Sequence, residues 1–238
     1  MHSSQFHYLP LTPGFFSILV GIFLILLILI QLGALRYAYM RLGISSGVAL
    51  LLLSASLIGS YFNFPVAELP ERHVLSGQEI YYFGMRYVVP VVVQWPGTLI
   101  AVNIGGAVIP TLMSIYLLVK YDLWIKGALA TAGVTAVIHW LATPVPGLGI
   151  AVPVFAPAVV TAIAAFLLSR EFAAPLAYVA GSLGTLIGAD LLNLDKISGL
   201  GAPIASIGGA GTFDGIFLTG ILAVLFASIT SPRGAQAA

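Results

Sequence analysis

The chain has 238 residues, of which 60% are hydrophobic and only 7% are Asp, Glu, Lys or Arg. A typical soluble domain carries about 25% charged residues, so too little polar surface is present to face water, and lipid is expected to cover most of the exterior. The formal net charge of +1 argues against a nucleic-acid partner and against strong overall attraction to anionic lipid. Cysteine is absent, which excludes disulfides, thiolate metal sites and a Cys nucleophile.

A membrane-spanning helix needs about 20 apolar residues. By that criterion spans are expected near 14–35, 44–63, 96–119, 124–142, 150–169, 173–194 and 212–230. The fold class is therefore an all-α polytopic membrane protein with seven transmembrane helices, forming one domain over 1–230. No Lys or Arg precedes the first run, Phe15–Leu35, and it is too long for a signal-peptide core; it reads as a retained span. Between the second and third spans, residues 64–95 hold Glu68, Glu71, Arg72, His73, Glu79 and Arg86. A β-branched and aromatic run follows, Ile80-Tyr81-Tyr82-Phe83 and Tyr87-Val88-Val89. With Ser76-Gly77 as a turn signal, this segment predicts an extramembrane β-hairpin at the membrane surface, where Tyr and Trp95 suit the interface. The fifth span opens in Thr143-Pro144-Val145-Pro146-Gly147-Leu148-Gly149, with Pro153 and Pro157 beyond. Proline removes a backbone donor, so a kink or a re-entrant start is expected. The tail 231–238 is small and polar and is expected to be disordered.

With the N-terminus outside, Arg36, Arg41, Lys120, Lys126, Arg170 and Arg233 fall inside and Arg72, Arg86 and Lys196 outside. The positive-inside rule thus favours an outside N-terminus and a cytoplasmic C-terminus.

Polar side chains within apolar spans are costly and face a cavity or a partner. The third span carries Asn103 beside Gly106, Ala107 and Pro110. The fourth carries Thr131, Thr135 and His139 on one face. The sixth carries Asp190 and Asn193, with Gly181, Gly184 and Gly188 on roughly the opposite face, where a neighbouring helix can pack closely. The seventh opens with Gly211-Thr212-Phe213-Asp214-Gly215. Asn103, His139, Asp190 and Asp214 are expected level with one another near the outer surface. Each has an ordinary structural reading too: a helix cap for Asn103, interfacial contact for His139, a fraying end for Asp190, an N-terminal charge for Asp214. The loop 195–211 is nearly uncharged and glycine-rich, so it is expected to fold back over the aspartates.

Ile187-Gly188-Ala189-Asp190-Leu191-Leu192-Asn193-Leu194 and the run from Ser206 to Gly220, with Val102-Asn103-Ile104-Gly105-Gly106 and Gly149-Ile150-Ala151-Val152-Pro153, resemble an uncharacterised family of prokaryotic membrane proteins. It is catalogued as domain of unknown function 1614. The resemblance covers roughly 60–228 and implies no established activity. A fainter similarity is to the intramembrane aspartyl proteases, the presenilin and signal-peptide-peptidase group. That group places one aspartate on each of two adjacent helices, the second within Gly-x-Gly-Asp. Here Phe213 stands in place of the glycine before Asp214, Ala189 stands before Asp190 where the group has Tyr, and the C-terminal Pro-Ala-Leu motif is missing.

Three functions remain open on these residues. The first and sharpest is an intramembrane aspartyl protease with Asp190 and Asp214 as the catalytic pair, sharing a proton. The second is a small ion-coupled carrier built on broken helices. The third is a non-catalytic scaffold docking through the hairpin. Asn103, His139, Asn193, Gly211 and Gly215 would support the site. Three oxygen or nitrogen ligands suit Zn or Mn, but their spacing carries no signature, so no metal or cofactor is expected. The expected partners are the bilayer and a membrane peptide or small cation. If the topology is right, reporter fusions at the two termini report opposite sides of the membrane; both on one side would refute it.

Overall fold

The computed structural model describes residues 18, 20–25, 28, 40–69, 72–82, 85–95, 97–145, 149–153, 155–197, 204–209 and 215–230. Residues 18, 20–25 and 28 of the first expected span are helical, and the tail 231–238 lies outside the described residues. The chain is mostly helical, with three small sheets.

Helix α1 (Ser46–Gly59) begins at Ser45, whose side chain accepts a hydrogen bond from the Val48 N–H and caps the first turn. Strand β1 (Asn63–Glu68) follows. Strands β2 (Arg72–Tyr82) and β3 (Met85–Trp95) form the expected hairpin, in antiparallel register from Arg72 opposite Trp95 to Tyr82 opposite Met85. The turn is not at Ser76-Gly77. Those residues pair with Val91 and Pro90 in mid-strand, and the chain reverses between Tyr82 and Met85. The β-branched runs on both sides outweigh a two-residue turn signal.

The third helix is expected to start at 96, but Leu99–Asn103 is strand β4. A five-residue apolar run fits a buried strand as well as a helix turn, and here two neighbours take up its backbone groups. Strand β1 pairs with β4 antiparallel, and β7 (Ile204–Ile207) pairs with its other edge in parallel, Leu99 opposite Ile204. Past Asn103 the chain makes one π-helical turn, Ile104–Val108, then α2 (Ile109–Lys120). Helix α3 (Trp124–Leu141) matches the fourth expected span. The Pro/Gly run becomes a short hairpin, β5 (Thr143–Val145) with β6 (Gly149–Ala151). Helix α4 (Ala156–Leu168) starts only after it, with Pro157 in its first turn, where a missing N–H costs nothing. Pro153 precedes the helix, so the break falls at its start and not within it.

Helix α5 (Ala173–Thr185) is the centre of the bundle: every residue but Leu183 is buried. It continues through a π-helical turn (Leu186–Asp190), a 3-10 turn (Leu191–Asn193) and α6 (Leu194–Ile197). The continuous helix Ala173–Ile197, 25 residues, is long and apolar enough to cross a membrane, and is the one among the described residues that is. Helix α7 (Gly215–Thr230) packs on α5. Small residues make the contacts. Ala130, Ala162, Ala165, Ala177, Ala180, Ala223 and Ala227 share one core with Val134, Ile138 and Leu176. Gly181 meets the Gly220 backbone, and Gly184 and Gly188 lie against α3.

The outer faces are apolar instead of polar. Leu112, Ile115 and Val119 on α2, Ile125 and Leu129 on α3, and Val159, Ile163 and Leu167 on α4 are exposed. Trp124 and Trp140, at the two ends of α3 and about 24 Å apart along it, are exposed as well. One end of the bundle collects cations: Lys120 bonds to the Gly43 carbonyl beside Arg41, and Tyr121 stacks on Phe172 next to Arg170. A side chain at Gly184 would press on Val134, whose Cγ1 is 2.6 Å from the Cβ position. Gly184→Leu should therefore cost about 1–3 kcal/mol by overpacking. Gly133→Leu, with nothing within 4 Å of its Cβ position, should be neutral or stabilising, since glycine is the poorer helix former by about 1 kcal/mol. Thermal unfolding in detergent compares the two.

Candidate functional site

At the end of the bundle opposite Lys120, two helix breaks meet. The first is at Asn103. Pro110 has no N–H and its ring crowds the carbonyl of Gly106, four residues back. The helix before it widens, and the Ile109 N–H bonds to Ile104 O in place of Gly105 O. The Gly105 carbonyl so released accepts from Ser56 Oγ at 2.7 Å. Asn103, fully buried, closes the helix start: its Oδ1 accepts from the Gly106 N–H at 2.9 Å. Its amide donates to Ser60 O at 2.8 Å and to Asn63 Oδ1 at 3.0 Å. The hydroxyl of Ser206, on β7, lies 2.6 Å from the same Asn63 oxygen.

The second break is in the central helix. The π turn Leu186–Asp190 and the 3-10 turn after it displace the normal ladder. Asn193, fully buried, donates through Nδ2 to Gly188 O and Ala189 O, both at 2.9 Å. Its Oδ1 accepts from Lys196 Nζ at 2.7 Å.

Asp190 links the two breaks. Its Oδ2 accepts from the Gly208 N–H at 2.7 Å. Gly208 has φ +88°, a left-handed conformation that a side chain resists. It is pressed against the first break: a Cβ on Gly208 would lie 2.5 Å from the Ala107 nitrogen, and one on Gly106 would run into the Gly208 carbonyl oxygen. The described part of the glycine-rich loop, 204–209, therefore does fold back against Asp190.

His139 stands apart from this hydrogen-bonded set. It lies in the last turn of α3, and its backbone nitrogen comes close to Gly188, two residues before Asp190. Its Nδ1 is buried without a hydrogen-bond partner among the described residues, as is Thr131 Oγ1 about two turns earlier on the same face; Thr135 Oγ1 reaches Gly184 O only at 3.5 Å. Gly215 is the first residue of α7. Asp214 and Gly211 lie outside the described residues. Among the described residues no three His, Asp or Glu side chains are grouped to hold a metal.

Ser56, Ser60 and Asn63 were not singled out in the sequence. Their signal was present as three polar residues at helical spacing, four and then three apart, closing an otherwise apolar span. Residues 57–226 match the model of a family described as protein of unknown function (DUF1614). No curated protein and no solved structure matches the chain. Asn103→Ala would leave the Ser60 carbonyl, Asn63 and the Gly106 N–H without their partner. The loss should be roughly 2–4 kcal/mol at about 1 kcal/mol per bond, read as a lower unfolding midpoint in detergent.

Proposed function

We propose a reading for the chain, which belongs to the DUF1614 family: it is a polytopic membrane protein of seven spans, with its N-terminus outside and its C-terminus in the cytoplasm. Asp190 is the ionisable centre of a small cation- or proton-coupled carrier. The membrane assignment is supported by the long apolar helix Ala173–Ile197 and by the apolar outer faces of α2, α3 and α4. It is supported too by the gathering of Arg41, Lys120 and Arg170 at one end, as the positive-inside rule requires. The hairpin β2–β3 then lies on the outer surface.

The observation that carries the carrier reading is the meeting of two interrupted helices at one carboxylate. Discontinuous helices bind ions through backbone groups that the interruption releases, and the turns at 104–108 and 186–190 converge on the contact between Gly106, Gly208 and Asp190. One carboxylate oxygen holds the loop, and the loop's glycines allow small displacements at little cost. Release of the Gly208 N–H on protonation or cation binding is the coupling step of this reading.

A second reading, the aspartyl hydrolase, draws on the packing of α5 against α7. From their crossing at Gly181 and Gly220, Asp190 lies about 13 Å along one helix and Gly215 about 7 Å along the other. Asp214 precedes Gly215 directly in sequence, and the hydrolase reading requires its carboxylate to meet that of Asp190. Two carboxylates in hydrogen-bond reach would share a proton and could activate water.

Asp190→Asn separates these readings, because it removes the ionisable group while leaving an amide oxygen to accept from the Gly208 N–H. In the carrier reading, the variant loses cation-dependent thermal stabilisation and proton-coupled flux in proteoliposomes, while Asp214→Asn retains them. In the hydrolase reading, both variants lose cleavage of a fluorogenic transmembrane peptide. An Asp190→Asn protein that unfolds normally and keeps both properties makes Asp190 a loop anchor only.

A further inference from the structure

At the opposite, cationic end of the bundle, a groove of about 460 Å³ opens between α1 and α2. Val48 and Leu52 line one wall, and Ile109, Leu112 and Met113 the other; Gly43, Ser45 and Tyr116 close the charged end. From Ser45 to Leu52 and from Tyr116 to Ile109 the walls extend about 10 Å along each helix. The groove thus has an apolar depth and a polar mouth.

The mouth carries a cation. Lys120 Nζ donates to Gly43 O at 2.7 Å and lies 5.5 Å from the Tyr116 ring centre and 5.2 Å from that of Tyr121. Among the described residues no carboxylate pairs with it. Helix α1 begins at the same place with no acidic residue in its first turn, and Ser45 reaches only the Val48 N–H, at 3.4 Å. The ammonium group and the unpaired N–H groups of that turn both favour an anion.

We propose that the groove seats one acyl chain of an anionic glycerophospholipid, with its phosphate between Lys120 and the first turn of α1. The chain's low net charge is no obstacle. At this end the four cations Arg41, Lys120, Lys126 and Arg170 outnumber the two carboxylates Asp122 and Glu171 among the described residues, which leaves it locally positive. The proposal rests on the membrane reading above, because only a bilayer delivers such a ligand at this depth. The ammonium group has three donors; one goes to the Gly43 carbonyl, and the two rings at 5.5 and 5.2 Å attract the charge through their faces without taking an N–H, so donors remain for a phosphate oxygen.

The test uses the full chain in detergent, with phosphatidylglycerol, phosphatidylcholine or inorganic phosphate added, read by native mass spectrometry and thermal unfolding. One phosphatidylglycerol should remain bound and raise the unfolding midpoint, while phosphatidylcholine and phosphate should not. Lys120→Gln should weaken retention at least tenfold. Leu112→Trp, at an exposed wall position, should fill the groove and abolish retention while the protein still folds. Lys126→Gln, exposed at the same end, should change nothing. Equal retention of phosphatidylcholine, full retention by Lys120→Gln, or a midpoint shift from phosphate alone would overturn the site. An alkaline wash of membranes distinguishes the two levels of failure. A chain that resists the wash yet holds no lipid defeats the lipid site alone, and a chain released by it defeats the membrane reading as well.

Discussion

An interrupted helix among apolar neighbours must find new partners for the backbone groups it releases, and the polar end of this protein is organised by that requirement. Each such group costs on the order of 1–3 kcal/mol if left unpaired. Pro110 forces the first interruption, and Ser56 and Asn103 answer it from α1's end and from the helix's own cap. Asn193 answers the second with a single amide on two carbonyls. The side chains used are short and polar, set one residue deep in otherwise apolar elements, and almost all of their hydrogen-bonding capacity is turned inward. Asp190 differs in being ionisable and in bonding to a loop. It is the member of the set whose protonation could alter the structure.

The two ends of the bundle divide the chemistry. The cationic end is held by side chains that reach across loops, Lys120 to Gly43 and Tyr121 to Leu42. The opposite end is held by backbone in close contact, with glycines where side chains would intrude. Between them α5 is enclosed on one side by alanines of its neighbours and on the other by Leu42, Met113, Leu117, Leu118, Ile221 and Val224. The alanine-rich side gains its stability from close approach and dispersion, and the other side from large aliphatic side chains.

Much of this was legible in the sequence. The helices at 124–142, 173–194 and 212–230 follow from long apolar runs, and the α3 boundaries agree to within a residue. The packing role of Gly181, Gly184 and Gly188 follows from their spacing, and the capping of a broken helix by Asn103 was one of its two readings. The hairpin followed from β-branched composition, though not its turn. The missed feature is the three-stranded sheet. Leu99–Asn103 reads as the start of a helix because apolar periodicity has no power over five residues. Its two partners lie in segments that local pattern cannot connect. The same distance in sequence hid Asn63 and Ser206, whose roles exist only once β1, β4 and β7 are side by side.

That sheet also sets an order on biogenesis. Strand β1 can meet β4 as soon as the intervening hairpin has been made. The other edge of β4 pairs with β7, which begins 105 residues after it, Leu99 opposite Ile204. At ribosomal rates that interval is roughly 5–20 s, during which α2, α3, α4 and the continuous α5–α6 helix must be threaded and β4 stands as an unprotected edge. The polar network around Asp190 cannot assemble until the final helix of the described chain is about to emerge, so the molecule spends most of its synthesis without its own centre.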